Sequence, residues 1–423
     1  MSWRRRHLLG ALGCGIAAPA LAQFRVEISG VGATQIPIAV ARFRDEAASG
    51  QAISAIVRAD LERSGLFRGV DAPGVLDEAS LPVMDEWRGR AVDALVLGSV
   101  TRLADGRFDV RFKLWDVVKG EDLGGQSQAV VAGDLRLAAH RVADTVYRQL
   151  TGEPGVFATR IAYVTRSNGR FALHVADADG EGAQVALASP EPIISPAWSP
   201  DGKQLAYVSF ETQKAAVWVQ EVASGRRRLV ANFRGSNSAP AWSPDGAQLA
   251  LTLSRDGGSH LFTLPLAGGE PRRLTPAGSA IDTEPAFTAD GRTLYFVSDR
   301  GGSPQIYRMP AAGGPAERVT FTGSYNVSPA VSPDGRVMVY VARDGNAFRL
   351  TAMDLASGRS TPLTDTVADE SPSFAPNSRL VIYATRTGGR DVLMTSTLDG
   401  RIKTRLLSSA TDVREPVWGP YGR

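Results

Sequence analysis

Two stretches of this chain are identical, PAWSPDG at residues 196–202 and PAWSPDG again at residues 240–246. Worn copies follow: PAFTADG at 285–291, PAVSPDG at 329–335, PSFAPNS at 372–378 and PVWGPYG at 416–422. Their opening prolines stand at 196, 240, 285, 329, 372 and 416, a spacing of 43 to 45 residues that composition alone does not generate. A fixed period of this length marks a repeat architecture in which each copy is one supersecondary unit.

The residues after each copy identify the unit. The runs Leu205-Ala206-Tyr207-Val208, Leu249-Ala250-Leu251-Thr252, Leu294-Tyr295-Phe296-Val297, Val337-Met338-Val339-Tyr340 and Leu380-Val381-Ile382-Tyr383 read as buried strands. A glycine-rich turn comes next, then a second strand such as AVWVQEV at 216–222 or HLFTLPL at 260–266, another turn, and a short run ending in polar residues. Four short strands and three turns fill each period, which is one blade of a β-propeller. None of these runs has the 3.6-residue periodicity that a helical solenoid needs.

The ends of the repeat complement each other. Residues 161–187 supply strands two to four of a blade without its PAW strand, and Glu415-Pro416-Val417-Trp418 supplies a PAW strand without followers. Joined, they predict a mainly β fold, a six-bladed β-propeller over residues 161–423, its four-stranded blades closed by exchange between the terminal strands. Such closure removes the sheet edges that invite aggregation.

Within the motif, Pro pre-sets φ, Asp accepts local backbone hydrogen bonds and Gly takes a positive φ, so P-D-G between strands predicts a hairpin turn. The rival reading, a ring of carboxylates holding a metal, fits poorly because ligands must converge on one point and these stand one per blade. The aromatics Trp198, Trp242, Phe287, Phe374 and Trp418, with Val331 as the exception, are expected to pack between blades. Stacking on carbohydrate is the alternative.

Residues 23–152 lack the repeat and predict a small α/β domain. Residues 36–41 read as a strand, 51–64 as a helix with Ile53, Ile56, Val57 and Leu61 on one face, 95–100 and 108–114 as paired strands. Leu135, Ala139, Val142, Val146 and Leu150 mark a second helix stopped by Gly152 and Pro154. Residues 153–160 are expected to link the two domains.

Residues 1–22 combine Arg4, Arg5 and Arg6, an apolar run from Leu8 to Ala18 and a small-x-small ending, the pattern of a signal peptide cut after Ala22. The pair Arg5-Arg6 also fits a twin-arginine leader. Of the 47 Lys and Arg, the three in the leader account for the whole excess over the 44 Asp and Glu. The exported chain is therefore electrically balanced, which argues against nucleic acid as a partner. Its one cysteine, Cys14, also lies in the leader, which excludes disulfides and thiol catalysis from the rest.

Chemistry-bearing motifs are sparse. No G-x-S-x-G nucleophile elbow, P-loop or H-E-x-x-H occurs, and beyond the leader the only histidines are the scattered His140, His174 and His260. No catalytic, cofactor or metal site is expected, and a non-enzymatic binding protein is the leading reading. A propeller hydrolase or glycan-binding protein of the cell envelope is the alternative, because fold alone does not set function. In a propeller the PAW strand is innermost, so residues just before each proline should line one channel mouth. These are Ser195, Asn237, Ser238, Thr283, Glu284, Asn326, Ser328, Glu370, Ser371, Arg414 and Glu415, a polar rim of the kind partners bind.

A leader, a small α/β domain, the junction LTGEPGVFATRIAYV at 150–164, and six repeats closed by REPVWGPYG at 414–422 together resemble the TolB family of periplasmic proteins. The resemblance covers essentially the whole exported chain. It implies a periplasmic component of the Tol-Pal system, which ties the outer membrane to peptidoglycan and supports its constriction at division. It further implies the peptidoglycan-associated lipoprotein Pal as the partner at one propeller mouth, and TolA as the partner of the segment after the leader, Gln23, Phe24, Arg25, Val26, Glu27 and Ile28. Read without the resemblance, that segment is an edge strand of the α/β domain.

Overall fold

The computed structural model describes residues 35–406 and 412–422. The leader and the segment from Gln23 to Ile28 lie outside the described residues. No helix among the described residues is long and apolar enough to cross a membrane.

Five strands form the sheet of the amino-terminal domain: β1 (Ile36–Val40), β2 (Phe67–Val70), β3 (Ala94–Arg102), β4 (Phe108–Asp116) and β5 (Glu121–Val130), in the order β2-β1-β3-β4-β5. β1 runs parallel to β2 and β3, while β4 and β5 extend the sheet antiparallel. Helices α1 (Ile53–Arg63) and α3 (Leu135–Thr151) bring Val57, Leu61, Val142 and Val146 against Ile38, Val40 and Val96. The alternate residues Ala39, Leu95 and Leu97 face the other way and are covered by Trp87 on the short helix α2 (Met84–Gly89). Both faces of the sheet are buried, so its central strands read as continuous apolar runs.

The expected helices and three strands are present, and β2, α2 and β5 are additions. β5, with the sequence EDLGGQSQAV, contains almost no strand-forming residues and is made by its pairing with β4. A Cβ at Gly125 would stand 2.0 Å from the Phe112 carbonyl oxygen, so only glycine allows this approach. Helix α3 ends where expected: Gly152 adopts φ 77° and its N–H donates to the Arg148 carbonyl at 2.8 Å.

The remaining strands form six four-stranded antiparallel sheets. We number the blades by their innermost strands: Ile193–Trp198 (blade 1), Asn237–Trp242 (2), Asp282–Phe287 (3), Asn326–Val331 (4), Glu370–Phe374 (5) and Val413–Trp418 (6). Blade 6 is the predicted composite. Val413–Trp418 pairs with Arg160–Ser167, and Trp418 stands opposite Ile161. Some outermost strands are only two residues long, as in Arg272–Arg273 and Glu317–Arg318, which leaves little free edge for another chain to pair with.

The P-D-G segments are turns. In blade 1 the Ser199 hydroxyl donates to Asp201 at 2.6 Å, Asp201 accepts the Lys203 N–H at 3.1 Å, and Gly202 sits at φ 68°. The serine hydroxyl, ahead of the backbone amide, holds the Asp201 carboxyl below its ordinary range. The same Ser/Thr-to-Asp bond recurs at 243/245, 288/290 and 332/334. The motif tryptophans pack between blades, and two of them donate hydrogen bonds, Trp242 to the neighbouring blade and Trp418 to the linker. Trp242 Nε1 donates to the Ala197 carbonyl of blade 1 at 3.0 Å, and Trp418 Nε1 donates to Thr159 Oγ1 at 2.8 Å. Trp198 packs with Ala162 and Val164 across the seam that closes the ring.

Candidate functional site: the channel mouth

Every innermost strand carries the same irregularity. The residue before the motif proline lies in the left-handed region in all six blades: Ser195 (φ 51°), Ala239 (49°), Glu284 (53°), Ser328 (53°), Ser371 (52°) and Glu415 (52°). Each strand also shifts register against its neighbour there, the mark of a β-bulge. For residues other than glycine this conformation costs about 1 kcal/mol apiece. Six repetitions therefore describe a built-in feature of the mouth, and the buried proline that comes after each one fixes where the bulge falls.

Two of the six positions hold glutamate, and each glutamate straps its blade to the next. Glu284 Oε2 accepts the Ser328 N–H at 2.6 Å, and Glu415 Oε2 accepts the Ser195 N–H at 2.7 Å. These N–H groups are released from the strand ladder by the bulge, so the carboxylates satisfy donors that would otherwise be orphaned. Enclosure has a price in charge. Burial raises the Glu415 carboxyl to about 7, with the Glu370 and Glu284 charges adding to the rise and the Ser195 N–H and Arg414 opposing it. Burial likewise raises Glu284, against the Ser328 N–H, and raises Glu370, against Arg414. The three carboxyls are thus close enough for the charges of Glu370 and Glu284 to act on Glu415, and they form one acidic group at the mouth.

The structure sorts the predicted rim. Ser195, Ser238, Thr283, Glu284, Ser328, Glu370, Ser371 and Glu415 are half-buried around the channel, and Arg414 is exposed. Asn237 and Asn326 are a correction, because both are buried inside the blades. Asn237 accepts the Phe233 N–H at 2.9 Å and donates to the Ala215 carbonyl at 3.1 Å; Asn326 donates to Gln305 Oε1 at 2.8 Å and the Thr322 carbonyl at 2.9 Å. They hold the loops that enter the innermost strands. Arg414 donates to Asp412 at 2.7 Å and lies 3.4 Å from Asp391 on the neighbouring blade.

The amino-terminal domain sits at the opposite ends of the blades. Gly65 abuts Thr397 and Ile402, which flank the turn after Arg390–Thr397, and Glu153 pairs with Arg379 in a turn that leads out of an innermost strand. A buried charged cluster completes this contact. His140 on α3 places Nδ1 2.6 Å from Asp60 of α1 and Nε2 3.6 and 3.8 Å from Asp177 and Asp179 of blade 6. Arg136 pairs with Asp177 and Asp179, and Arg63 pairs with Asp60. Burial alone would lower the imidazole pKa, yet the nearby carboxylate of Asp177, the hydrogen-bonded Asp60 and the charge of Asp179 raise it to about 9, so His140 is a buried imidazolium. Asp60, His140 and Asp179 are close enough to hold a metal ion, but the two guanidiniums and the proton already balance the carboxylates. Sequence reading placed His140 in its helix and missed this role, because its aspartate partners lie 80 residues upstream and about 40 downstream.

Together these features define a six-bladed β-propeller protein with a polar, acid-throated channel mouth on one face and an α/β domain clamped to the other. The TolB amino-terminal domain family matches residues 24–123 and the TolB beta propeller domain family matches residues 147–422. A Tol-Pal system protein TolB from Polaromonas sp. is 64% identical over 100% of this chain and 99% of its own length, and one from Dechloromonas aromatica is 52% identical over the same shares. The crystal structure of TolB from Acinetobacter baumannii, 39% identical, superposes with a TM-score of 0.85 over 92% of this chain and 97% of that one. This chain belongs to the TolB family.

Proposed function

We propose that this chain is a non-enzymatic periplasmic scaffold of a Tol-Pal system, exported by residues 1–22, that binds the lipoprotein Pal at the channel mouth and TolA through residues 23–30. In that role it supports outer-membrane integrity and constriction of the outer membrane at division. The observation that carries the reading is the mouth itself: six bulged strand starts present a largely polar ring, interrupted at Ala239, on the face that the α/β domain leaves uncovered among the described residues. A wet, partly charged rim around a recess is a surface suited to a protein partner. We place the domain boundaries at 152/153 and 160/161.

Calorimetric titration of the exported chain with the soluble domain of Pal tests the first contact. Glu284→Gln combined with Arg414→Ala should weaken binding about tenfold or more, in line with loss of charged contacts at an interface, with circular dichroism showing that the fold is kept. Undiminished affinity would refute this placement of the site. Deleting residues 23–30 should abolish TolA binding and leave Pal binding intact. Turnover of peptidoglycan fragments by the purified chain would favour the hydrolase reading instead.

A further inference from the structure

The backbone of the mouth repeats nearly identically in all six blades, so only side chains can orient a partner there. The hairpins around it break that symmetry. In blades 4, 5 and 6 the next-to-last residue of the second strand is an arginine, Arg343, Arg386 and Arg166, and the third strand contributes Arg349, Arg390 and Arg170. The three hairpins themselves carry two carboxylates for six arginines, Asp344, which pairs with Arg349, and Asp391, which pairs with Arg386, while Asp365 and Asp412 approach Arg349 and Arg386 from neighbouring loops. Arg166, Arg170, Arg343 and Arg390 are exposed and have no ion-pair partner within 4 Å among the described residues. Blades 1 to 3 differ. There the hairpin arginines stand one position further along and are neutralised, Arg300 by Asp282 at 2.8 Å and Arg255 by Asp256 and Glu270, while blade 1 carries Glu211, paired with Arg227, and Lys214, whose Nζ donates to the Asn232 and Phe233 carbonyls.

An apolar patch lies inside the same arc. Phe348 comes just after the blade 4 hairpin, is 37% exposed, and donates its N–H to the carbonyl of Val367, itself 56% exposed. Tyr325 meets the Phe348 ring edge-on at 5.8 Å. Aromatic side chains flanked by arginine are the composition of protein-binding hot spots, whereas a surface kept only for solubility would mix both signs of charge.

We propose that blades 4 to 6 form an orienting half-collar that receives an acidic protein face: partner carboxylates lie over Arg166, Arg343 and Arg390, an apolar side chain rests on Phe348 and Val367, and a basic group points into the acidic throat. This inference rests on the proposed docking of Pal at the mouth and adds the charge pattern and the orientation of the docked partner. Unpaired arginines at the rim act mainly by steering the encounter, so their effect is on association rate and depends on salt.

The test is stopped-flow association of the exported chain with the soluble domain of Pal at about 20, 150 and 500 mM salt, which spans weak to strong screening. The triple variant Arg166→Glu, Arg343→Glu, Arg390→Glu should slow association about tenfold or more at the lowest salt, the difference shrinking at the highest. A matched control, Arg107→Glu, Arg226→Glu, Arg359→Glu, places the same charge change away from the mouth and should act at most weakly; circular dichroism checks that both variants fold. Equal association rates for the triple variant and the control would overturn the half-collar while leaving Pal docking in place. If the unmodified chain fails to bind Pal, the docking reading and the half-collar both fall. Capture by phosphatidylglycerol vesicles that the triple variant loses, with Pal association unchanged, would overturn the protein-face assignment in favour of a lipid surface.

Discussion

Removing the charge of His140 should loosen the grip of the α/β domain on the propeller. The imidazole is fully buried between Asp60 on one domain and Asp177 and Asp179 on the other. Its pKa stands at about 9 in the folded chain against an ordinary 6.5. At 1.36 kcal/mol per unit this difference amounts to about 3 kcal/mol of stability. Because the folded value is raised, the contribution is complete below pH 6.5, declines above it, and is lost as pH rises through 9. Urea unfolding of the exported chain and of His140→Gln at about pH 6, 8 and 10 isolates the effect, since other titrating groups largely cancel in the difference. The stability gap between the two chains should shrink by about 3 kcal/mol from the lowest to the highest of these pH values. The only cysteine is Cys14 in the leader, so dyes placed through Arg107→Cys and Glu270→Cys can also report the distance between domains by energy transfer. A gap that stays constant across this range would refute the buried-imidazolium reasoning.

Two further outcomes rest on particular contacts. Gly155→Ala should destabilise the junction by about 1–3 kcal/mol, as overpacking does, because a Cβ there would stand 2.6 Å from the Asp144 Cα; a thermal melt reads this directly. Glu415→Gln keeps an oxygen for the Ser195 N–H while removing a carboxylate whose pKa is raised to about 7. A raised acid favours the folded state at low pH and penalises it once ionised, so the variant should gain about 1–3 kcal/mol near pH 8 and almost nothing near pH 4, as read from urea midpoints.

The parts of the fold that the sequence displayed plainly are those set by neighbours along the chain. Pro, Asp and Gly encode a turn within four residues, alternating apolar runs encode the strands on either side, and a period of 43 to 45 residues repeats that local grammar until the ring must close. The same local signals marked helices α1 and α3 and the stop at Gly152. They failed for β5, where EDLGGQSQAV becomes a strand only because β4 offers a pairing edge and Gly125 permits the close approach.

The site divides in the same way. From the repeat alone, the residues before each proline could be assigned to one channel mouth, since all innermost strands start at the same end. Which of them face the channel was a matter of tertiary packing: Asn237 and Asn326 turn inward to hold loops, while Glu284 and Glu415 reach across to the next blade. The imidazolium at His140 and the unequal charge around the rim depend on groups that are distant in sequence and meet only in the folded chain. Burial and Coulomb energy act through space, with no memory of chain order. Sequence by itself therefore determined the propeller, its closure and the family, and only the tertiary structure decided which polar residues carry charge, which satisfy the backbone, and how the two domains are held together.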